Sequence, residues 1–222
     1  MPVSIFKHTA KTALTLVAFA LLFTALMAGV YQLTKEPIAQ SEAAARIALF
    51  QQVIAQDQYN NDVLNDTIDI LPSDLLGNKQ TTIANIARNN GEPVAVILEA
   101  IAHDGYNGRI KLLVAINLNG SISGVRVLTH TETPGLGDYI DIVKTNWIKL
   151  FDLESLLKTS STDWAVKKDG GKFDYMAGAT ITPRAVIKAV SRALQYFEEN
   201  KAALFIPAIS QQETEKEETV QQ

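Results

Sequence analysis

The sequence predicts an α+β protein: a single N-terminal transmembrane helix, then one extracytoplasmic domain with an antiparallel sheet and helices packed on one side. Three observations carry that reading. An apolar run from Ala13 to Leu33 is broken only by Thr15, Thr24, Gly29 and Gln32. Three apolar segments, 94–102, 110–118 and 122–128, follow closely on one another, the last two separated by Asn119-Gly120. Finally, the run 185–199 places Ala185, Val186, Ala189, Val190, Ala193, Leu194 and Phe197 at helical spacing.

The elements are justified in chain order. The first run is close to the ~20 residues that span a bilayer. Lys7 and Lys11 precede it, which assigns residues 1–11 to the cytoplasm, 12–34 to the span and 35–206 to the outer side. A cleaved signal peptide is the competing reading, but its apolar core would run only about 7–15 residues. Cutting after Ala28 would also leave Leu26 three residues before the cut, where a small residue is needed. The chain has no cysteine, so there is no lipoprotein anchor either. The exported length suits one domain. Residues 37–55, Ala-rich with Ile47, Phe50 and Ile54, read as a helix leaving the membrane. Residues 57–91 read as polar and irregular, with short apolar patches at 68–71 and 75–76. The three strands follow, and Asn119-Gly120 is a strong hairpin signal. A helix is expected over 139–150, a short strand over 164–166, and a closing helix after Pro183. In the tail, 207–222, four glutamates against Lys216 give −3 of the net charge of −4, and the composition predicts disorder. The remainder is nearly neutral, so nucleic-acid binding has no electrostatic support.

Without cysteine the chain can carry neither an iron–sulfur cluster nor a reactive thiol. Chemistry would have to be borrowed from a cofactor. The candidate holding site is D-Y-M-A-G-A-T-I-T-P, residues 174–183. Thr182 reads as a helix N-cap and Pro183 as the first helical residue. Thr180 then sits near the positive end of the helix dipole, where free amides favour an anion. Gly178 and Ala179 leave room for a bulky group, so the stretch suits a phosphate, including one esterified to the Thr180 hydroxyl. It also suits a plain small-residue entry into an amphipathic helix. A second segment, L-T-H-T-E-T-P-G-L-G-D-Y at 128–139, turns sharply at Pro134-Gly135 and Gly137. It can offer backbone amides and the side chains of Thr131, Glu132 and Thr133 to a ligand, or be an ordinary connection.

Taken together, T-H-T-E-T-P-G-L-G and G-A-T-I-T-P resemble the FMN-binding domain family of membrane electron-transport complexes. Within it they are similar to the G subunit of the Rnf/Rsx-type ion-translocating oxidoreductase, a relative of the C subunit of the sodium-translocating NADH:quinone reductase. The resemblance implies FMN joined covalently through its phosphate to Thr180. It also implies a separate flavin transferase that reads an Asp-x-x-(Ser/Thr)-Gly-Ala-Thr pattern, give or take one spacer residue. Asp174, Gly178, Ala179 and Thr180 match that pattern; Ala177 and Tyr175 stand where Ser or Thr and Gly are often found. Thr182 belongs to the same motif, and ring contacts are expected from Thr131, Glu132, Thr133, Leu136 and Gly137. The implied protein is an electron relay at the bacterial inner membrane, with its C-terminal domain in the periplasm. Its partners would be the other membrane subunits of the complex, which moves ions or keeps a redox-sensing regulator reduced. The alternative is a cofactor-free, membrane-anchored binding or scaffold module.

Other constellations carry less. His130-x-Glu132 suggests a metal, but only His8 and His103 remain as further histidines, so a His-rich zinc site cannot be assembled. No Ser sits in a G-x-S-x-G elbow. Trp147 and Trp164 read as core residues. Residues 167–172, K-K-D-G-G-K, read as a solvated turn or as cations placed near a phosphate.

Overall fold

The computed structural model describes residues 2–205, with side chains from Lys7 onward. The expected acidic tail, 207–222, lies outside the described residues. The chain divides into two compact units, 1–46 and 47–222.

The first unit is helical. Helix α1 spans Pro2–Val53, and its Lys7–Val53 portion is long and apolar enough to cross a membrane. The hydroxyls of Thr12, Thr15 and Thr34 donate to the carbonyls of His8, Lys11 and Val30, one turn back. This satisfies them without water, as an apolar surrounding requires. Pro37 lies inside α1. Its missing N–H removes one helical hydrogen bond without ending the helix, so the separate helix expected from residue 37 is the continuation of α1.

The second unit is built on a five-stranded antiparallel sheet. Its strands are β1 (Thr67–Ile70), β2 (Thr82–Asn89), β3 (Glu92–Ala102), β4 (Ile110–Asn117) and β5 (Ile122–Thr129). They pair in sequence order, β1-β2-β3-β4-β5. Residues 57–91 are therefore not irregular; they contribute two strands. The β2–β3 hairpin turns on Asn90 (φ 52°) and Gly91 (φ 86°), the pair of positive angles that a two-residue type I′ turn needs. At Asn119-Gly120 only the glycine is left-handed (φ 81°), and its N–H donates to Asn117 O at 2.9 Å, closing a longer loop.

Helix α2 (Ile181–Leu204) covers one face of the sheet. Val186, Val190, Ala193, Leu194 and Phe197 pack there against Ile86, Val96, Leu98, Leu112 and Val114. The other face is not bare. Phe50, Val53 and Ile54, at the end of α1, join Val63 against Ala87, Ala95, Ile97, Leu113 and Ala115. Helical segments thus pack on both faces, not one. The fit is tightest at Gly124 of β5, where a Cβ would stand 2.8 Å from the Val53 backbone.

No α-helix forms over 139–150. Two 3₁₀ turns, Asp138–Ile140 and Trp147–Phe151, take its place. Thr145 Oγ1 donates to Tyr139 O (2.7 Å) and accepts from Trp147 N (3.1 Å), which folds the chain back on itself. That fold assembles an aromatic row: Tyr139 with Trp147 and Trp147 with Phe151 meet edge to face, each at 5.5 Å, and Phe151 meets Phe173 tilted at 4.8 Å. Trp147 is buried and Trp164 packs on the same core. The strand expected at 164–166 shrinks to one bridge, Val166 to Phe173.

The 167–172 run is not a free solvated turn. Lys172 pairs with buried Glu154 at 2.6 Å, Lys167 with Asp174 at 2.6 Å, and Asp169 with Arg184. Burial pushes the Glu154 carboxyl up, but hydrogen bonds from Lys172, Thr159 and Lys158 outweigh it and hold the group below the usual glutamate range.

Candidate functional site

The cavity of interest, about 250 Å³, opens where the loop after β5 meets the start of α2. Its lining is Tyr106 together with Glu132, Thr133, Leu136 and Gly137 on one side, and residues 178–182 on the other. The two sequence motifs therefore form opposite walls of one hollow.

The first wall is cross-braced. Leu136 N and Gly137 N both donate to Thr133 O, and Gly135 N donates to Asp138 Oδ1 at 2.8 Å. Asp138 is itself buried and faces Lys144 at 3.4 Å. Glu132 N donates to His130 Nδ1 at 3.1 Å, so that nitrogen is an acceptor. Glu132 is buried, and its carboxylate accepts from Asn107 N at 3.0 Å and from the Thr182 hydroxyl. Gly137 has no spare room: a Cβ there would lie 2.9 Å from Thr182 Oγ1 and 3.0 Å from Glu132.

The second wall is held to the core mainly near its start and is otherwise open. Trp147 Nε1 donates to Asp174 O at 2.6 Å, and Met176 N donates to the Tyr139 hydroxyl at 3.4 Å. Burial pushes the Tyr139 phenol up to about 12, despite the hydrogen bond from Met176. Gly178 takes φ 89°, with nothing within 4 Å of where a Cβ would sit. Thr180 is half-buried, and its hydroxyl caps no helical amide. It occupies the N-cap position of α2, ahead of Ile181 and Thr182, whose first-turn amides have no acceptor within the helix. Pro183 falls where a fourth donor would otherwise be, at no hydrogen-bonding cost.

Several expected roles change place. Thr182 does not cap the helix: it is buried inside the first turn and donates to Glu132. Thr131 does not line the cavity; its hydroxyl donates to Asn107 O at 2.6 Å and ties two loops together. Asp174 also stands outside it, with an exposed carboxylate held by Lys167. Tyr106 and Ile181 line the cavity although neither motif reading singled them out. Both are exposed aromatic or aliphatic side chains, 67% and 46% accessible, and no local pattern marks them.

An apolar-rimmed cavity with the amide donors of a helix N-terminus at its edge suits a ligand with an anionic end and a flat apolar body. Known proteins agree. Residues 105–195, which contain both walls, match the FMN-binding domain, and residues 1–53 match the RnfG N-terminal region. The chain is 47% identical to the G subunit of the ion-translocating oxidoreductase complex of Shewanella loihica, over 89% of this chain and 93% of that protein. It is 44% identical to the corresponding G subunits of Vibrio cholerae and Pseudomonas aeruginosa, covering 87% and 89% of this chain and 92% of each relative. The chain belongs to the G-subunit family of ion-translocating oxidoreductase complexes. In this member of the family the region that matches the FMN-binding domain contains both walls of the cavity, with the apolar N-terminal helix ahead of it in the chain.

Proposed function

We propose that this chain is an electron-relay component of a membrane-bound ion-translocating oxidoreductase, carrying FMN through a phosphoester to Thr180. The observation that supports it most is the position of that hydroxyl. It is half-buried, bonded to no helical amide, beside the free first-turn amides of α2 and on the rim of the cavity that unites both motifs. The dipole and the amides of Ile181 and Thr182 would stabilise the phosphate. Gly178 and Ala179 would leave its approach clear, while Tyr106, Thr133, Leu136 and Gly137 would face the ring system. FMN, when held, supplies transfer of one or two electrons; the chain's own residues bind it, orient it and limit water around it. Asp174, exposed at the head of the motif, is the mark a flavin transferase would read. A covalent link retains the cofactor on a side of the membrane where none is available to replace it.

The test is direct. The full chain is coexpressed with a flavin transferase, run on a denaturing gel and illuminated. Fluorescence that stays with the band, and is absent from Thr180→Ala, supports the attachment; a colourless band favours the scaffold alternative.

Location follows from charge. Lys7 and Lys11 hold the short N-terminus in the cytoplasm of the bacterial inner membrane, leaving residues 35–206 in the periplasm. The absence of cysteine makes this easy to test with a single label. Leu157→Cys, at a side chain 93% exposed, should react with an impermeant maleimide added to intact spheroplasts. Labelling only after lysis would reverse the orientation. Electron donors and acceptors are then the other members of the complex, because a chain without cysteine offers neither an iron–sulfur cluster nor a redox thiol beside the flavin.

A further inference from the structure

The geometry points to Glu132 as a positioning residue that fixes the spacing of the two cavity walls and, through Thr182, the placement of Thr180. Both carboxylate oxygens are already engaged by the protein, each by a different segment. Oε1 accepts from the backbone N–H of Asn107, next to Tyr106; Oε2 accepts from Thr182, two residues after Thr180. The two oxygens belong to one rigid planar group, so the Tyr106 loop and the first turn of α2 are registered against each other by a single side chain. That side chain is 3% exposed, which strengthens its hydrogen bonds and makes an unmet partner costly.

The surrounding backbone is shaped to admit it. A Cβ on Gly105 would run first into Gly108 O and then within 2.9 Å of Oε1, and one on Gly137 would lie 2.9 Å from Thr182 Oγ1 and 3.0 Å from Oε2. At both glycines the carboxylate shares the space with its neighbours, leaving no room for a side chain. His130 fixes the Glu132 backbone from behind. Glu132 thus acts through Asn107 and Thr182 and needs no contact of its own with a ligand. Glutamine has nearly the same shape but no charge: it can accept from Asn107 N only if its amide nitrogen faces Thr182 and reverses that hydrogen bond, so both contacts lose their charge assistance.

The consequence for flavin loading rests on Thr180 being the attachment point, but the structural half does not. Amide hydrogen exchange on the flavin-free full chain in detergent reads the first part. In Glu132→Gln, exchange at Asn107 and at Arg184, whose N–H donates to Thr180 O, should speed up about tenfold, a size typical of weakening a charge-assisted hydrogen bond. The amides of β3 and β4 should keep their protection. If they loosen too, the variant has lost its fold and Thr182→Val, which keeps the shape and removes only the donor, decides alone. Coexpressed with the transferase, Thr182→Val should slow covalent flavin attachment about tenfold, and Thr182→Ser should restore it. Thr182→Val matching the parent in both readouts, or Thr182→Ser performing no better than Thr182→Val, overturns the assignment. Fluorescence persisting in Thr180→Ala would instead remove the attachment reading and leave the exchange data to judge Glu132.

Discussion

The two walls of the cavity are made differently. The 130–138 wall is tied to itself, to the 105–108 loop and to α2, and its central carboxylate and Asp138 are buried. The 174–180 wall hangs from Trp147 and Tyr139, and most of its side chains face solvent. One wall is built to keep its shape and the other to be reached. Under the proposed attachment, the segment a transferase would read and modify is the one left outside the hydrogen-bond network, with the bracing opposite it.

The comparison can be broken most sharply at Thr180. Thr180→Ala should abolish flavin fluorescence on the denatured band, yet shift unfolding free energy by no more than ~0.5 kcal/mol, since its hydroxyl braces no helical amide. A large stability loss would mean the open wall is structural after all. Next in size is an alkaline effect at the anchor of that wall. Burial lifts Tyr139 from about 10 to about 12, so the folded state favours the neutral phenol. Its contribution is complete below the unfolded value near 10 and is lost as pH rises toward about 12, on the order of 2–3 kcal/mol. Denaturant unfolding across that window should show the fall, and Tyr139→Phe should flatten it. Gly137→Ala sharpens the other side. Its methyl would crowd Thr182 and Glu132 in the braced wall, costing about 1–3 kcal/mol in the same assay. Gly178→Ala should be milder than Gly137→Ala, about 1 kcal/mol from its left-handed backbone alone, because nothing stands near the added methyl. If Gly178→Ala costs more than Gly137→Ala, the contrast between the walls is wrong.

Much of this was legible in the sequence, and the failures share a cause. Helix α2, the β4–β5 hairpin and the apolar N-terminal helix follow from local spacing, and the structure has them. Both motifs are short and contiguous, so their meeting could be inferred from resemblance. Strand β2 was invisible because it reads T-I-A-N-I-A-R-N: its buried positions include Ala84, Ala87 and Asn85, and Asn85 is satisfied by Val63 O at 2.7 Å. Burial there depends on a partner 22 residues away, which no window of strand length contains. The Asn90-Gly91 turn was the available signal for the β2–β3 pair. Thr182 misled for a related reason. Next to Pro183 it has every local mark of a cap, but the helix begins at Ile181, so Thr182 lies inside the first turn and its hydroxyl donates to a buried carboxylate 50 residues upstream. Residues 139–150 have helical apolar spacing, yet Thr145 and the aromatic row around Trp147 settle them into tighter turns.

Gly124 gives the domain a keyway. The backbone at Val53 lies against β5 where the strand has no side chain, and Phe50, Val53 and Ile54 enter the smaller core together beside it. One added methyl would lift all three at once while leaving the α2 face of the sheet, and the cavity at its end, in place. The two cores can therefore be loosened independently, and Gly124→Ala is the lever that separates the strength of the scaffold from the shape of the site.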